Sequence, residues 1–235
     1  MNKVLIGLPS YDGRACTGTF FSILQANKKG SENEIILRTA DCSSLTRVFN
    51  NLWVMALDER DNGLTHFAMV HDDVIPEPFW LDKMLDIMND KKADVLSAII
   101  PIKTVQGKTS TAFDIKNGDS VFEHYQIRNL TLKEAYKMEP TFTAQNLLIN
   151  TGLMLVDMRK DWVKEIVFRF EDDILSINGQ RKVVEVSEDW YFSRQASNLG
   201  ASLWATREVK VKHMGRAAYT NESAWGTLET CKTEE

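Results

Sequence analysis

The sequence has few cysteines, no long apolar run and no excess of positive charge. Its three cysteines, Cys16, Cys42 and Cys231, are odd in number and far apart, so they show no metal-ligand spacing and suit a reducing compartment. No apolar run approaches the roughly 20 residues of a membrane span, and the run at residues 4–8 is too short for a secretory signal. We therefore expect a cytoplasmic protein that makes no stable membrane insertion.

The charge balance also narrows the choice of partners. A net charge of −5 and a pI near 5.5 argue against wholesale electrostatic binding to nucleic acid, although they leave room for a local basic patch. Hydrophobic residues make up 43% of the 235 residues, which is enough for a full core. We expect one domain over residues 1–235.

Apolar segments alternate with helical patterns in the first half of the chain. This β-α-β alternation with apolar strands predicts an α/β fold, in which helices flank a mostly parallel, Rossmann-like central sheet. The Gly-x-Gly-x-x-Gly phosphate loop is absent, so no dinucleotide site of that kind is expected. The predicted strands cover residues 4–8, 34–39, 67–70 and 95–102, and the predicted helices cover residues 17–28, 44–59 and 79–88.

The second half of the chain differs in composition and in its predicted elements. Residues 104–145 are polar and punctuated by glycine, as is usual for a segment that covers a site or forms a small subdomain. From Met214 onward the chain is polar, and a mobile tail is predicted over residues 214–235. The other predicted elements are a strand over 147–157 broken by Asn150-Thr151-Gly152, helices at 162–170 and 187–199, and short strands at 201–205 and 209–211.

Asp72 and Asp73 directly follow the apolar strand that ends at Val70. Adjacent carboxylates at a strand end repel each other and lose solvation unless a positive charge lies there, and a divalent cation is the commonest such partner. The carboxyl ends of strands are also where open α/β sheets bind ligands. His213 adds an imidazole, and such a mixed site suits Mn²⁺, with Mg²⁺ the second choice. An exposed acidic turn and a structural histidine are the alternatives.

Glu188 and Asp189 open the helix that is predicted to follow Ser187. Carboxylates in a first turn interact favourably with the helix dipole, and this alone would explain them. However, the apolar face of the helix reaches these positions when it is extended back by one turn. At least one carboxylate should therefore lean toward the protein, where it is a candidate general base.

Two other features have open interpretations. His71 is either a further metal ligand or a packing residue. The basic segment around His213 forms either a cradle for a diphosphate or a solvated strand face. Its basic residues are Arg207, Lys210, Lys212 and Arg216.

Taken in order, these elements resemble a family 2-type glycosyltransferase of the GT-A fold, in the short form without membrane segments that is often seen in phage genomes. The resemblance covers residues 3–216 and rests on four segments. It implies a metal-dependent enzyme that transfers a hexose or pentose from a nucleotide sugar, with UDP-sugars favoured as donors. The enzyme would act in the cytoplasm, or in the host cytoplasm if it is phage-encoded. The segments are the opening strand and loop at 4–13, the Asp-x-Asp-like region at 65–74, the acidic helix start at 187–190, and His213-Met214-Gly215.

The resemblance also implies a role for each segment. Residues 1–103 would bind the nucleotide sugar and residues 104–213 the acceptor. Asp73 and His213 would bind the metal ion. Asp189, with Glu188 as the alternate, would deprotonate the acceptor hydroxyl and favour inversion at the sugar. The nucleotide would contact Pro9, Tyr11, Asp12, Arg47, Asn51 and Asp72, and the acceptor would contact Thr151, Gly152 and Trp190.

The chain departs from the family pattern at two positions, and other functions stay open. His71 stands at the first position of Asp-x-Asp, and Asn50-Asn51 stands where many relatives carry Arg-Asn. A nucleotidyltransferase of the same fold and a non-catalytic nucleotide- or sugar-binding protein are the alternatives. The acceptor is a glycan, a small molecule or a hydroxymethylated DNA base, and the last of these predicts a steep salt dependence.

Overall fold

A computed structural model describes residues 1–115 and 125–230 of the chain. Helices and strands alternate in its first part, and short strands dominate its second part. In chain order the elements are β1 (Lys3–Ser10), α1 (Thr17–Leu24), β2 (Glu34–Asp41), α2 (Leu45–Arg60), β3 (His66–Val70), β4 (Val74–Pro76), α3 (Trp80–Lys91), β5 (Val95–Ala98), β6 (Lys108–Asp114), β7 (Ile127–Thr131), α4 (Leu132–Ala135), β8 (Thr141–Phe142), β9 (Leu147–Leu148), β10 (Leu153–Asp157), a 3₁₀ helix (Asp161–Glu165), β11 (Glu171–Ile177), β12 (Gln180–Val186), α5 (Glu188–Asn198), β13 (Leu203–Thr206), β14 (Val211–Met214) and β15 (Ala218–Thr220).

A seven-stranded sheet with the order β2-β1-β3-β10-β5-β13-β8 forms the centre of the fold. Strands β1, β2 and β3 are parallel to one another, as are β5 and β13. Strand β10 runs antiparallel to both β3 and β5, and β8 runs antiparallel to β13. Five of the seven strands therefore share one direction, and the expected α/β fold with a mostly parallel central sheet is confirmed.

Helices cover both faces of this sheet because successive strand residues point to opposite sides. On β3, Phe67 packs in the cluster that contains Trp53 of α2. Its neighbour Ala68 packs in the other cluster, with Trp80 and Met84 of α3. Within the described ranges, no helix combines the length and the apolar character needed to cross a membrane.

The second half differs from the expected element pattern. The polar stretch 104–145 supplies β6 and β7, which form a three-stranded sheet with β9 in the order β7-β6-β9. The helix predicted at 162–170 is only a 3₁₀ turn, and the long hairpin β11–β12 follows it. Asn178-Gly179 forms the hairpin turn with positive φ at both residues, which is the backbone that this dipeptide favours between two strands.

The described part of the predicted mobile tail is packed against the body of the protein. Strand β15 pairs with β14, and Trp225 packs against the main apolar cluster. The Asn221 side chain is fully buried, donates to the carbonyls of Ile99 and Val209, and accepts from the Val211 amide, each at 3.0 Å. Residues of the segment 214–230 therefore make specific contacts with the rest of the fold, and the mobility of the tail stays a prediction. Residues 231–235, including Cys231, lie outside the described residues.

We predict that Asn221→Ala lowers the free energy of unfolding by about 2–4 kcal/mol, because it leaves buried backbone groups without partners. Urea denaturation measures the change. The neighbouring exposed Glu222→Ala is the control and should change stability by less than about 0.5 kcal/mol. Equal stabilities for the two variants would contradict the packed arrangement of this segment.

Candidate functional site

The predicted acidic pair lies in the turn between β3 and β4, at the carboxyl end of β3. Among the backbone hydrogen bonds of this turn, two join it to neighbouring strands or their flanking segments. The His71 amide donates to the Gly152 carbonyl at 2.9 Å, and the Met214 amide donates to the Asp73 carbonyl at 2.8 Å. The turn is thereby fixed to the segment before β10 on one side and to β14 on the other.

Asp73 and His213 meet in the structure, as the metal-site prediction requires. Nε2 of His213 lies 3.5 Å from Oδ1 of Asp73. Lys103 binds the other oxygen, Oδ2. Burial by itself would raise the pKa of Asp73, but the hydrogen bonds from His213 and Lys103 outweigh it and hold the pKa well below its usual range. Asp73 is therefore a charged carboxylate at neutral pH.

The other ring nitrogen of His213 is held by the backbone. Nδ1 lies 2.8 Å from the Pro101 carbonyl oxygen, which can only accept, so Nδ1 carries a proton. Nε2 then offers either a second proton to Asp73 or a lone pair to a cation shared with it. Metal-binding histidines usually have such a backbone partner, so this pair fits a cation. No group of three or more His, Cys, Asp or Glu side chains suited to a metal occurs among the described residues.

Asp72 anchors the start of α1 through its backbone. Its carbonyl oxygen accepts from the Cys16 amide at 2.7 Å and from the Thr19 hydroxyl at 3.1 Å. Burial raises the pKa of its side chain, and the neighbouring charge of Asp73 adds to this effect. The two carboxylates therefore differ, since Asp73 has cationic partners that stabilise its charge.

The predicted nucleotide contacts lie near the ends of β1 and on α2. Pro9 is buried at the end of β1, whereas Tyr11 is 72% exposed in the loop that follows. Asp12 accepts the Arg14 amide proton at 3.2 Å. Arg47 and Asn51 are exposed on α2.

Asn50, in contrast, has a structural role. Its side-chain amide donates to the Phe168 carbonyl and accepts from the Phe168 amide, both at 2.9 Å. This pair of bonds ties α2 to the segment that precedes the hairpin. The Asn50 side-chain amide is thus used in bonds to the Phe168 backbone, whereas the Asn51 side chain is exposed to solvent.

Asp189 lies in the first turn of α5 and is held by Thr151. The Thr151 amide donates to Oδ1 at 3.1 Å, and the Thr151 hydroxyl donates to the same oxygen. Burial raises the pKa of Asp189, and these two bonds partly offset that rise. Burial also raises the pKa of Glu188, to which the charge of Asp189 contributes. The two adjacent carboxyl groups therefore interact, and Asp189 is the one that the two Thr151 donors stabilise.

Thr151 also contacts His71, because its hydroxyl oxygen lies 3.2 Å from Nε2 of that ring. The ring centroid of His71 is 5.1 Å from that of Phe49. His71, Thr151 and Asp189 therefore form a continuous chain of contacts between the acidic turn and α5. Sequence analysis assigned a role to each of the three but did not predict that they touch.

The other two predicted acceptor residues shape this region. The Trp190 indole N–H donates to the Ser110 carbonyl at 3.1 Å, which fixes α5 against β6. Gly152 is buried, and a Cβ atom at this position would lie 2.8 Å from Cδ1 of Ile100. The close approach explains why glycine follows Thr151.

Two residues of the basic segment near His213 use their side chains within the fold, whereas Lys212 and Arg216 are exposed. The Arg207 guanidinium donates to the carbonyls of Ala135 and Met138, each at 3.3 Å, and lies 4.6 Å from the ring centroid of Tyr136. Nζ of Lys210 donates to the Arg207 carbonyl at 2.9 Å. These contacts favour a structural role for both residues over a diphosphate cradle. Lys103, which sequence analysis did not select, is the cation that contacts Asp73.

A cavity of about 770 Å³ lies beside the second half of α5. The Arg194 guanidinium lines it and binds the Asp114 carboxylate through two contacts of 2.8 and 3.0 Å. Sequence analysis missed this cavity because Asp114 and Arg194 are far apart in the chain.

Comparisons with known proteins add a similarity in fold. No protein-family model and no curated protein matches the sequence. A197 from STIV matches with a TM-score of 0.51 and 14% identity over 92% of this chain and 86% of A197. S. aureus TarS 1–349 gives a TM-score of 0.48 at 14% identity, and its complex with UDP-GlcNAc gives 0.48 at 12%. Both TarS matches cover 88% of this chain. This chain spans 58% of the length of the first TarS chain and 56% of that of the second. At such identity the likeness to A197 concerns the fold alone.

We predict that the His71 ring stays neutral well below the usual histidine range. Burial lowers its pKa from 6.5 to about 4, and the charge of Asp73 only partly opposes this effect. NMR of the ring protons as a function of pH tests this, with His71→Asn identifying the signals. The neutral ring stabilises the native state above pH 6.5, and that stability is lost as the pH falls toward 4. A ring that titrates near 6.5 would contradict the burial of His71.

Proposed function

We propose that this chain is a metal-dependent glycosyltransferase of the GT-A type, which moves a sugar from a nucleotide-sugar donor to an acceptor hydroxyl. One observation carries the proposal: the Asp73–His213 pair and the Asp189 carboxylate lie at one site and are connected through Thr151 and His71. Sugar transfer needs positive charge near the leaving diphosphate and a base near the acceptor. The two halves of this site match those two needs.

On the donor side, Asp73 and His213 are the residues that would hold Mn²⁺, with Mg²⁺ the second choice. Such an ion, when bound, stabilises the negative charge that develops on the leaving diphosphate. Lys103 supplies a further positive charge at the same carboxylate. We assign the UDP-sugar, the favoured donor, to a pocket formed by Pro9, Tyr11, Asp12 and Asp72, with Arg47 and Asn51 as further contacts.

On the acceptor side, Asp189 is the general base. The acceptor oxygen bonds to the anomeric carbon as the carbon–oxygen bond to the diphosphate breaks, and the acceptor proton passes to Asp189. A base on the face opposite the leaving group gives inversion. The raised pKa of Asp189 makes it a stronger base than an ordinary aspartate. Glu188 is the weaker candidate because it is only 6% exposed.

We take a glycan or a small molecule as the acceptor in preference to a hydroxymethylated DNA base. Arg207 and Lys210 use their polar groups within the fold, as the contacts above indicate. They are therefore poorly placed to bind a phosphate backbone. Thr151, Gly152 and Trp190 shape the acceptor side, and the reaction takes place in the cytoplasm.

Asp189→Asn should reduce turnover by about 10²–10⁴-fold, which is the contribution of a general base, and should leave donor binding unchanged. The amide keeps the shape of the side chain but cannot take a proton. Product formation from UDP-sugars and a panel of acceptors measures turnover, and a thermal-shift titration measures binding. If the protein is a non-catalytic binding protein, neither the wild type nor Asp189→Asn forms product. If Asp189→Asn is as active as the wild type, Asp189 is not the base.

Asp73→Ala should abolish the Mn²⁺-dependent part of donor binding. A ligand that binds only the native state raises the melting temperature by mass action, so the wild type should shift with one UDP-, GDP-, CMP- or TDP-sugar in Mn²⁺ and much less in EDTA. The exposed Asp86→Ala on α3 is the control and should behave as the wild type. An Asp73→Ala variant with the full Mn²⁺-dependent shift would remove Asp73 from the metal site.

A further inference from the structure

We propose that Thr151, itself held by His71, is a positioning residue that orients Asp189 for proton transfer. The inference rests on the proposed role of Asp189 as the base. Both hydrogen bonds from Thr151 go to the same carboxylate oxygen, Oδ1. The second oxygen, Oδ2, is therefore the one that receives the proton of the acceptor hydroxyl.

The position of Thr151 is fixed by its neighbours. Thr151 is fully buried, in the break between β9 and β10. The side-chain amide of Asn150 donates to the Ala98 carbonyl at 2.7 Å, and its oxygen accepts from the Gly152 amide at 3.1 Å. The Gly152 carbonyl in turn accepts from the His71 amide at 2.9 Å. The Thr151 hydroxyl thus approaches Asp189 from a rigid backbone.

Proton counting defines how the three side chains connect. A carboxylate only accepts, so the single hydroxyl proton of Thr151 points to Oδ1 of Asp189. The contact of 3.2 Å between the hydroxyl oxygen and His71 then needs a donor on the ring, which is Nε2–H. The His71 ring therefore carries a proton on Nε2, and this donor orients the Thr151 hydroxyl toward Asp189.

The hydrogen bonds among His71, Thr151 and Asp189 also link the donor side of the site to its acceptor side. His71 immediately precedes Asp72 and Asp73, which belong to the donor side, and Thr151 bonds the base on the acceptor side. A change in the position of the acidic turn is therefore transmitted to Asp189 through two hydrogen bonds. The bond between Thr151 and Asp189 persists during proton transfer because Oδ2, and not Oδ1, takes the proton.

The test compares Thr151→Val, which removes only the hydroxyl, with Thr151→Ser, which retains it. We expect Thr151→Val to lower kcat by about 10–100-fold, as for a misplaced catalytic group, with an unchanged donor KM. Thr151→Ser should recover most of the loss. The buried Thr109→Val is the matched control and should retain wild-type kinetics, because the Thr109 hydroxyl donates to the Thr111 and Leu130 carbonyls, at 3.1 and 2.8 Å, and contacts no residue of the site among those described.

The pH profile separates positioning from a general loss of packing. The Thr151 bonds lower the pKa of Asp189, so Thr151→Val should move the acidic limb of kcat/KM to higher pH, and Thr151→Ser should not. The titratable groups near Asp189 are Glu188 beside it, with Glu185 of β12 acting on Glu188, and His71 through Thr151. All of these are common to both variants. Superimposable profiles for the Val and Ser variants would overturn the proposal.

A second pair of variants covers the case in which Thr151→Val does not fold. His71→Phe keeps an aromatic ring beside Phe49 but removes the donor, whereas His71→Gln provides an amide donor. We expect a lower kcat for the Phe variant than for the Gln variant at equal donor affinity. Equal kcat values would contradict the proposed hydrogen-bonded link from His71 through Thr151 to Asp189. Asp189→Asn separates the two proposals, because an active variant refutes the base itself. If Asp189→Asn is inactive but Thr151→Val has wild-type kinetics, only the positioning role of Thr151 is refuted.

Discussion

Four carboxyl groups lie near one edge of the central sheet, and the cost of removing their charges from water dominates this part of the structure. Asp73 keeps its charge because Lys103 and His213 contact it. Asp189 has the two Thr151 donors, which offset part of the effect of burial. Asp72 and Glu188 have weaker compensation, and their pKa values are raised. Such a concentration of carboxyl groups costs stability, which supports the chemical role proposed for them.

The antiparallel strand β10 makes this arrangement possible. Leu153, the first residue of β10, pairs with Val70, the last residue of β3. Because the two strands run in opposite directions, the start of one lies beside the end of the other. The residues just before β10 therefore meet the residues just after β3, which brings Thr151 and Gly152 to His71. If β10 ran parallel to β3, these segments would lie at opposite edges of the sheet.

The site also explains why a histidine at the first position of the Asp-x-Asp-like region is compatible with the proposed activity. A carboxylate at position 71 could not donate to the Thr151 hydroxyl, whereas the Nε2–H tautomer of histidine can. The ring packs against Phe49 of α2 and connects to Asp189. The histidine that departs from the Asp-x-Asp pattern thus contacts Thr151, which holds the proposed base Asp189.

The sequence by itself determined the α/β alternation, because strand and helix periodicity are local properties. It also indicated the carboxylates at 72–73 and 188–189 through their positions at a strand end and a helix start. The sequence did not reveal Lys103 on Asp73, the link from His71 to Asp189, or the packing of Asn221, since each joins residues separated by many positions. The tail is polar, yet it contains one buried amide with three backbone partners. Tertiary structure decided these features because strand order and direction, which place distant residues side by side, depend on packing of the whole chain.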